Sequence, residues 1–139
     1  MRRFSGYLAW AATIPALLLA PLSAAHAGST PTVQVEKQLN RLAPEEELEQ
    51  RCDIEAMNRI DKDDAKFDPD KVIAYAFGPT QVKGTTIKAK GAVFRSHEHW
   101  YRLSYTCQTG AKRLEIEKFD YKIGSEVPRD QWEAHYLYD

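Results

Sequence analysis

His97-Glu98-His99 is the string in this chain that most invites metal chemistry. On a strand alternate side chains point the same way, so His97 and His99 share a side. With His135 or a carboxylate as third ligand they would form a zinc site, its fourth position open to water. The same residues also suit a solvated hairpin turn, and no His-Glu-x-x-His helix accompanies them. Asp61-Lys62-Asp63 begins like a calcium loop and then departs from it. Ala65 stands at a ligand position, Lys66 where glycine turns the loop, and Val72 where the closing glutamate belongs. No Gly-x-Ser-x-Gly nucleophile elbow occurs. The acids between Glu45 and Glu49 fit the first turn of an exposed helix better than an acid/base pair.

Binding chemistry has a second set of candidates. Trp100 and Arg102 fall on one face of a strand, with Arg95 nearby. An aromatic ring beside arginines suits a planar or anionic ligand. Tyr75, Tyr136 and Tyr138 extend the aromatic supply, whereas Tyr101, Tyr105 and Trp132 fit ordinary packing.

These residues need elements to hold them. Gly28 to Arg41 is polar and without period, which predicts a flexible lead-in. Pro44 suits a first helical position, and the glutamates after it complement the helix dipole. Leu48, Cys52, Ala56 and Ile60 recur every four residues, so a helix is expected from Pro44 to Ile60, ended by Asp61-Lys62-Asp63-Asp64. Val72 to Phe77 reads as a strand closed by Gly78-Pro79. A second extended run covers Thr85 to Phe94, with a turn at Ser96 to His99. Tyr101, Leu103, Tyr105 and Cys107 share the apolar face of the next strand, opposite Trp100, Arg102, Ser104 and Thr106. Thr109-Gly110 makes another turn. Leu114 and Ile116 have one parity and Phe119, Tyr121 and Ile123 the other, which predicts a bulge near Glu117-Lys118. Gly124 is expected to end that strand. Pro128 opens a short final helix with Trp132, His135 and Tyr136 on one side. The order predicts an α+β fold: an antiparallel sheet with an N-terminal helix and a short C-terminal helix packed on one face.

Cys52 on the helix stripe and Cys107 on the strand face should meet in the helix–sheet interface. Two cysteines in an exported chain favour a structural disulfide. No Cys-x-x-Cys motif points to a redox pair.

Export itself is read from the start of the chain. Arg2-Arg3 precedes an apolar run from Leu8 to Leu22, and Ala25-His26-Ala27 fits the small-x-small cleavage rule. A signal peptide over residues 1–27 is expected, cut after Ala27, leaving a single domain over 42–139 behind its lead-in. The expected location is the periplasm, with no membrane span after cleavage.

Charge is uneven along the 139 residues. Residues 36–70 hold twelve acids and six bases, whereas 71–113 hold eight bases and one acid, Glu98. Residues 114–139 hold seven acids and three bases. A basic middle suits an anionic partner such as a phosphorylated glycan or lipid headgroup. The simpler expectation is that basic strands lie beside acidic helices and the two neutralise each other. Export and the net negative total exclude nucleic acid as the expected partner.

Gln50-Arg51-Cys52-Asp53-Ile54-Glu55-Ala56, Ala92-Val93-Phe94-Arg95-Ser96, Trp100-Tyr101, Tyr105-Thr106-Cys107, Phe119-Asp120-Tyr121, Gly124, Pro128 and Trp132 carry a resemblance. Over about Leu42 to Leu137 the chain resembles domain-of-unknown-function family 930, found in exported proteins of alphaproteobacteria. The resemblance implies a periplasmic home and a shared fold, and it carries no catalytic residue. Together these readings predict a small exported binding or envelope-supporting module without a cofactor, its partner an envelope component or another exported protein. The alternative is a metal-dependent protein built on His97, His99 and His135.

Overall fold

A computed structural model describes residues 30–139. The expected signal peptide and its cut after Ala27 lie outside the described residues. The fold is α+β, as the order of elements predicts. Helix α1 spans Val33–Leu39 and α2 spans Pro44–Asp63. Strands β1 (Pro69–Ile73), β2 (Gln81–Lys83), β3 (Thr86–Ser96), β4 (His99–Thr109) and β5 (Ile116–Glu126) follow. They form one antiparallel sheet in the order β1-β3-β4-β5, with β2 also paired to β3. Two 3₁₀ turns, Arg129–Gln131 and Glu133–His135, complete the chain. Among the described residues, no helix is long and apolar enough to cross a membrane.

Helix α2 forms as its stripe dictates. Leu48, Cys52, Ala56 and Ile60 are all fully buried. They pack on Ile87, Ala89, Ala92, Phe94, Leu103, Tyr105 and Cys107 of the sheet. Cys52 and Cys107 form the expected disulfide, with S–S 2.06 Å and Cα–Cα 6.0 Å. The helix runs past Ile60 to Asp63 because that last polar turn has a partner: the Tyr121 hydroxyl donates to the Asp63 carboxylate at 2.9 Å. Next to the bridge, Arg51 is buried and donates from Nε to the Leu114 carbonyl at 2.8 Å. Buried Glu55 accepts from Arg51 and from Arg59, at 3.3 and 2.7 Å, so the charges inside this interface are paired.

Several boundaries differ from expectation. Part of the expected lead-in is helical: Thr32 caps α1 through the Val35 N–H, and Leu39 is its one buried residue. One buried residue leaves no period to read. The strand expected over Val72–Phe77 lies earlier, at Pro69–Ile73, and Ala74–Phe77 turns off the sheet. Gly91 causes this. It sits where β3 shifts register between Ala89 and Ala92, and its carbonyl accepts from Phe77 N–H at 2.8 Å. A Cβ there would stand 2.6 Å from the backbone of Phe77 and Gly78, so the crossing needs glycine.

The β3–β4 hairpin closes through His97 and Glu98 at φ +50° and +65°, a tight two-residue turn of the kind that suits strand twist. The expected bulge in β5 is present: Gln108 pairs with Lys118 but Thr109 pairs with Ile116, leaving Glu117 extra. Gly124 does not end its strand, which continues to Glu126. The glycine lets β5 pass Arg102, whose Cβ would lie 2.8 Å from a Cβ at 124.

The C-terminal segment packs on the face opposite α2, not beside it. There Trp132, Leu137, Val127, Val93 and Trp100 form a second core. The expected final helix is instead two 3₁₀ turns, and the second ends where Tyr136 adopts a left-handed conformation and Leu137 N–H bonds back to the Trp132 carbonyl at 2.9 Å. Trp132 and Leu137 are buried as a result, and Tyr136 points out, 78% exposed.

Candidate functional site

A cleft of about 680 Å³ opens between α2, β1, the Ala74–Ala76 turn and Ala134–Tyr136. Glu49, Asp53 and Met57 line it from α2, spaced by four residues and therefore stacked along one side of the helix. That side adjoins the buried stripe, because Asp53 follows Cys52 and is rotated from it by one residue's turn. The disulfide then fixes what Asp53 faces. Tyr105, two residues before Cys107 on the same strand face, donates its hydroxyl to Asp53 Oδ1 at 2.7 Å. Among the described residues no donor pairs with Oδ2.

Asp53 is 5% exposed. Burial raises its pKa to about 7; the Tyr105 hydrogen bond opposes that rise and the charge of Glu49 adds to it. Burial, then the neighbouring Glu46, pushes Glu49 up as well. Burial and the Asp53 carboxylate raise the Tyr105 hydroxyl, which therefore stays protonated as a donor. At the rim, Asp70 accepts a two-pronged bond from Arg95, at 2.8 and 2.9 Å. That bond, more than any other influence, lowers the Asp70 pKa. Tyr75 and Tyr136 expose their rings beside the mouth. The walls between are apolar, from Ile54, Val72, Ile73 and Ala74. Gln50 and Lys71 also belong to the lining, which holds three carboxyls against the one lysine. A buried carboxyl whose pKa is raised to about 7, with a second carboxyl one helical turn away, is suited to hold a positive centre.

The residues singled out from sequence sit elsewhere. Arg95, Trp100 and Arg102 do share the sheet face away from α2, as the register pairs Arg95 with Trp100 and Val93 with Arg102. Trp100, however, is 1% exposed; its indole donates to the Tyr138 carbonyl at 3.0 Å under the C-terminal segment. It is a core residue, not an open ligand platform. Arg95 is engaged with Asp70. The Arg102 guanidinium lies 3.7 Å from the centre of the Phe77 ring, and the His135 ring stacks 3.6 Å from the same centre. Phe77 is therefore sandwiched between the two.

The metal set is not assembled. His97 occupies the exposed hairpin turn, and His99 Nδ1 lies 2.7 Å from Glu126 Oε1. His135 Nδ1 lies 2.9 Å from the Ala76 carbonyl, against Phe77. Among the described residues no three His, Cys, Asp or Glu side chains are grouped to hold a metal ion. The reason is positional: His135 stacks on Phe77 beside the second core, and the other two lie at a hairpin tip.

The sequence reading passed over Glu49, Asp53 and Tyr105 as a site. A signal was present. If Cys52 meets Cys107, the acid after the first cysteine must fall near the tyrosine two places before the second.

The expected mutual neutralisation is met in part: Arg95 of the basic middle pairs with Asp70, whereas Lys88, Lys90 and Lys122 are exposed on the sheet face opposite α2.

No curated protein and no solved structure matches the chain. A family profile described as Domain of Unknown Function (DUF930) matches residues 39–137. That span holds α2, the whole sheet, both cysteines and every residue of the cleft, and the chain belongs to this family.

Proposed function

We propose that this protein is an exported, periplasmic binding module that performs no catalysis and holds an envelope component, with the cleft beneath α2 taking a small ligand that carries a positive amino group. The observation that carries this reading is Asp53 at the cleft floor, its Oδ1 fixed by Tyr105 and Glu49 one turn away. A cationic group entering there gains charge-assisted hydrogen bonds in an environment with little water to compete. The apolar walls would cover its hydrocarbon part and the rim tyrosines its open side. Export is supported by the basic start, the apolar run and Ala25-His26-Ala27, and the disulfide suits an oxidising compartment.

The test has two parts. Intact mass of the protein recovered from the periplasm should match residues 28–139 less two hydrogens for the bridge. A chain retaining its first 27 residues would sink the export reading. Ethanolamine and putrescine are then titrated at pH 8 while amide resonances are followed. Perturbations confined to residues 49–57 and 70–76, and lost in Asp53→Asn, are expected. Indifference of those resonances to every amine would overturn the ligand assignment.

A further inference from the structure

We propose that the sheet face turned away from α2 docks on a bilayer surface of anionic phospholipid headgroups. Among the cations that the register puts on that face, six lie on its β2 to β5 part: Lys83 of β2, Lys88 and Lys90 of β3, Arg102 of β4, and Lys118 and Lys122 of β5; Lys71 and Arg95 lie toward β1, where Arg95 is bonded to Asp70. Lys88 pairs with Thr106 and Thr106 with Asp120, and Ser104 pairs with Lys122, so these residues form cross-strand rows. Two acids accompany them: Asp120, 3.5 Å from Lys118 Nζ, and Glu117, whose Oε2 accepts from Gln108 Nε2 at 3.0 Å. The five lysines of β2 to β5 are all exposed, and among the described residues Lys83, Lys88, Lys90 and Lys122 have no ion-pair partner.

Between these cations lie Gln81, Thr86, Ser104, Thr106 and Gln108, all polar, whereas Val93 and Trp100 at the other end of the face are covered by the C-terminal segment. Strands stand about 4.8 Å apart and same-face residues about 7 Å apart along a strand, so the charges are spread over an area and not gathered in a groove. An area of separate point charges suits many headgroups at once. A single planar ligand needs bidentate arginines, and the Arg102 guanidinium is already stacked on Phe77. Single-stranded nucleic acid needs exposed rings for stacking, and no aromatic residue occupies these rows.

The opposite side of the molecule gives the surface a direction. Residues 36–70, which include α2, hold twelve acids and six bases, and α2 packs on the other face. The acidic C-terminal segment covers the far end of the lysine face, so the contrast lies between the lysine rows and α2: an anionic surface attracts the rows and repels the helix. Docked this way, the protein keeps α2 turned from the bilayer. The proposal does not depend on what the cleft holds.

The experiment is flotation of the purified protein with vesicles of equal phosphatidylglycerol and phosphatidylcholine, and with phosphatidylcholine alone. Binding to the mixed vesicles is expected, weakening as salt is raised. Each lysine near such a surface strengthens binding roughly fivefold, so Lys88→Gln/Lys90→Gln/Lys122→Gln should lose about a hundredfold. Lys37→Gln/Lys62→Gln/Lys66→Gln, with the same charge removed from the helical side, should bind as the parent does. Equal losses in both triple variants would overturn the proposal, and so would equal binding to neutral vesicles. Capture of soluble polyphosphate on this face without vesicle binding would also overturn it, in favour of a free polyanion.

Discussion

Tyr105 donates its hydroxyl to Asp53 at 2.7 Å, and the residues that flank this pair, Cys52 and Cys107, are covalently joined. Helix α2 and strand β4 are therefore tied twice within one helical turn. The bridge limits how far the helix can slide, and the hydrogen bond uses that limited freedom to aim a carboxyl. Covalent and electrostatic anchoring of the cleft floor are one device.

Acidic conditions should stabilise this fold through Asp53. Its pKa rises from 3.8 to about 7 in the folded protein, with burial as the main cause. The folded state then holds a proton that the unfolded state releases between those values. Stability gained from that proton is fully present below about pH 4 and is lost as pH rises through about 7. The full shift corresponds to on the order of 4 kcal/mol. Asp53→Asn carries no such proton, so its melting temperature should lack this fall between pH 4 and pH 7. Parallel melting curves for the two proteins across that range would show that Asp53 ionises as an ordinary carboxyl.

Tyr105→Phe isolates the hydrogen bond. The phenylalanine fills nearly the same volume but leaves Asp53 buried without its donor. That bond lowers the Asp53 pKa, so its loss should raise the pKa further. A stability loss of about 1–3 kcal/mol is expected at pH 8, shrinking at pH 5 where the carboxyl is already neutral. Urea melts at both pH values read this directly.

Sequence pattern made the frame of the molecule legible because its signals are local. A four-residue stripe from Leu48 to Ile60, a period-two run from Tyr101 to Cys107 and a parity switch before Phe119 each follow from the geometry of one element. What stayed hidden depends on elements meeting. Trp100 looks like an outward residue until Trp132 and Leu137 fold over it. The Ala74–Phe77 turn reads as strand until Gly91 draws the chain across. Asp53 was one acid among many until the disulfide register set Tyr105 beside it.

Ligand binding should carry the same titration with opposite consequence. A cation and a proton compete for Asp53, so amine affinity should be constant above about pH 8 and fall nearly tenfold per unit below pH 6. Calorimetry in buffers of different ionisation enthalpy would register about one proton released per amine bound near pH 6. Affinity independent of pH from 5 to 8 would place the amine away from this carboxyl.

Cys52→Ala/Cys107→Ala should lose about 4 kcal/mol, since the bridge closes a separation of 55 residues in the unfolded chain. Guanidinium melts of the oxidised, reduced and double-variant proteins should place the last two together. Because the bridge also positions the floor, the variant's Asp53 titration should broaden or shift under conditions where the fold is intact.

Gly91→Ala tests whether the cleft wall depends on the chain crossing. The added Cβ would come within 2.6 Å of two backbone atoms, Phe77 C and Gly78 N, which no rotamer change can relieve. Overpacking of this kind costs about 1–3 kcal/mol. Gly110→Ala is the matched control, because its nearest neighbour is a Glu117 side-chain oxygen at an ordinary 3.5 Å. The displaced segment holds Ala76, whose carbonyl pairs with His135, and Phe77, which stacks between His135 and Arg102. The structural consequence should therefore reach the C-terminal turns. Amide exchange in Gly91→Ala should quicken at residues 132–137 and across Ala74–Gly78, while α2 stays protected. Uniform quickening would mean instead that the whole domain had loosened, and exchange unchanged at 132–137 would uncouple the C-terminal segment from the crossing.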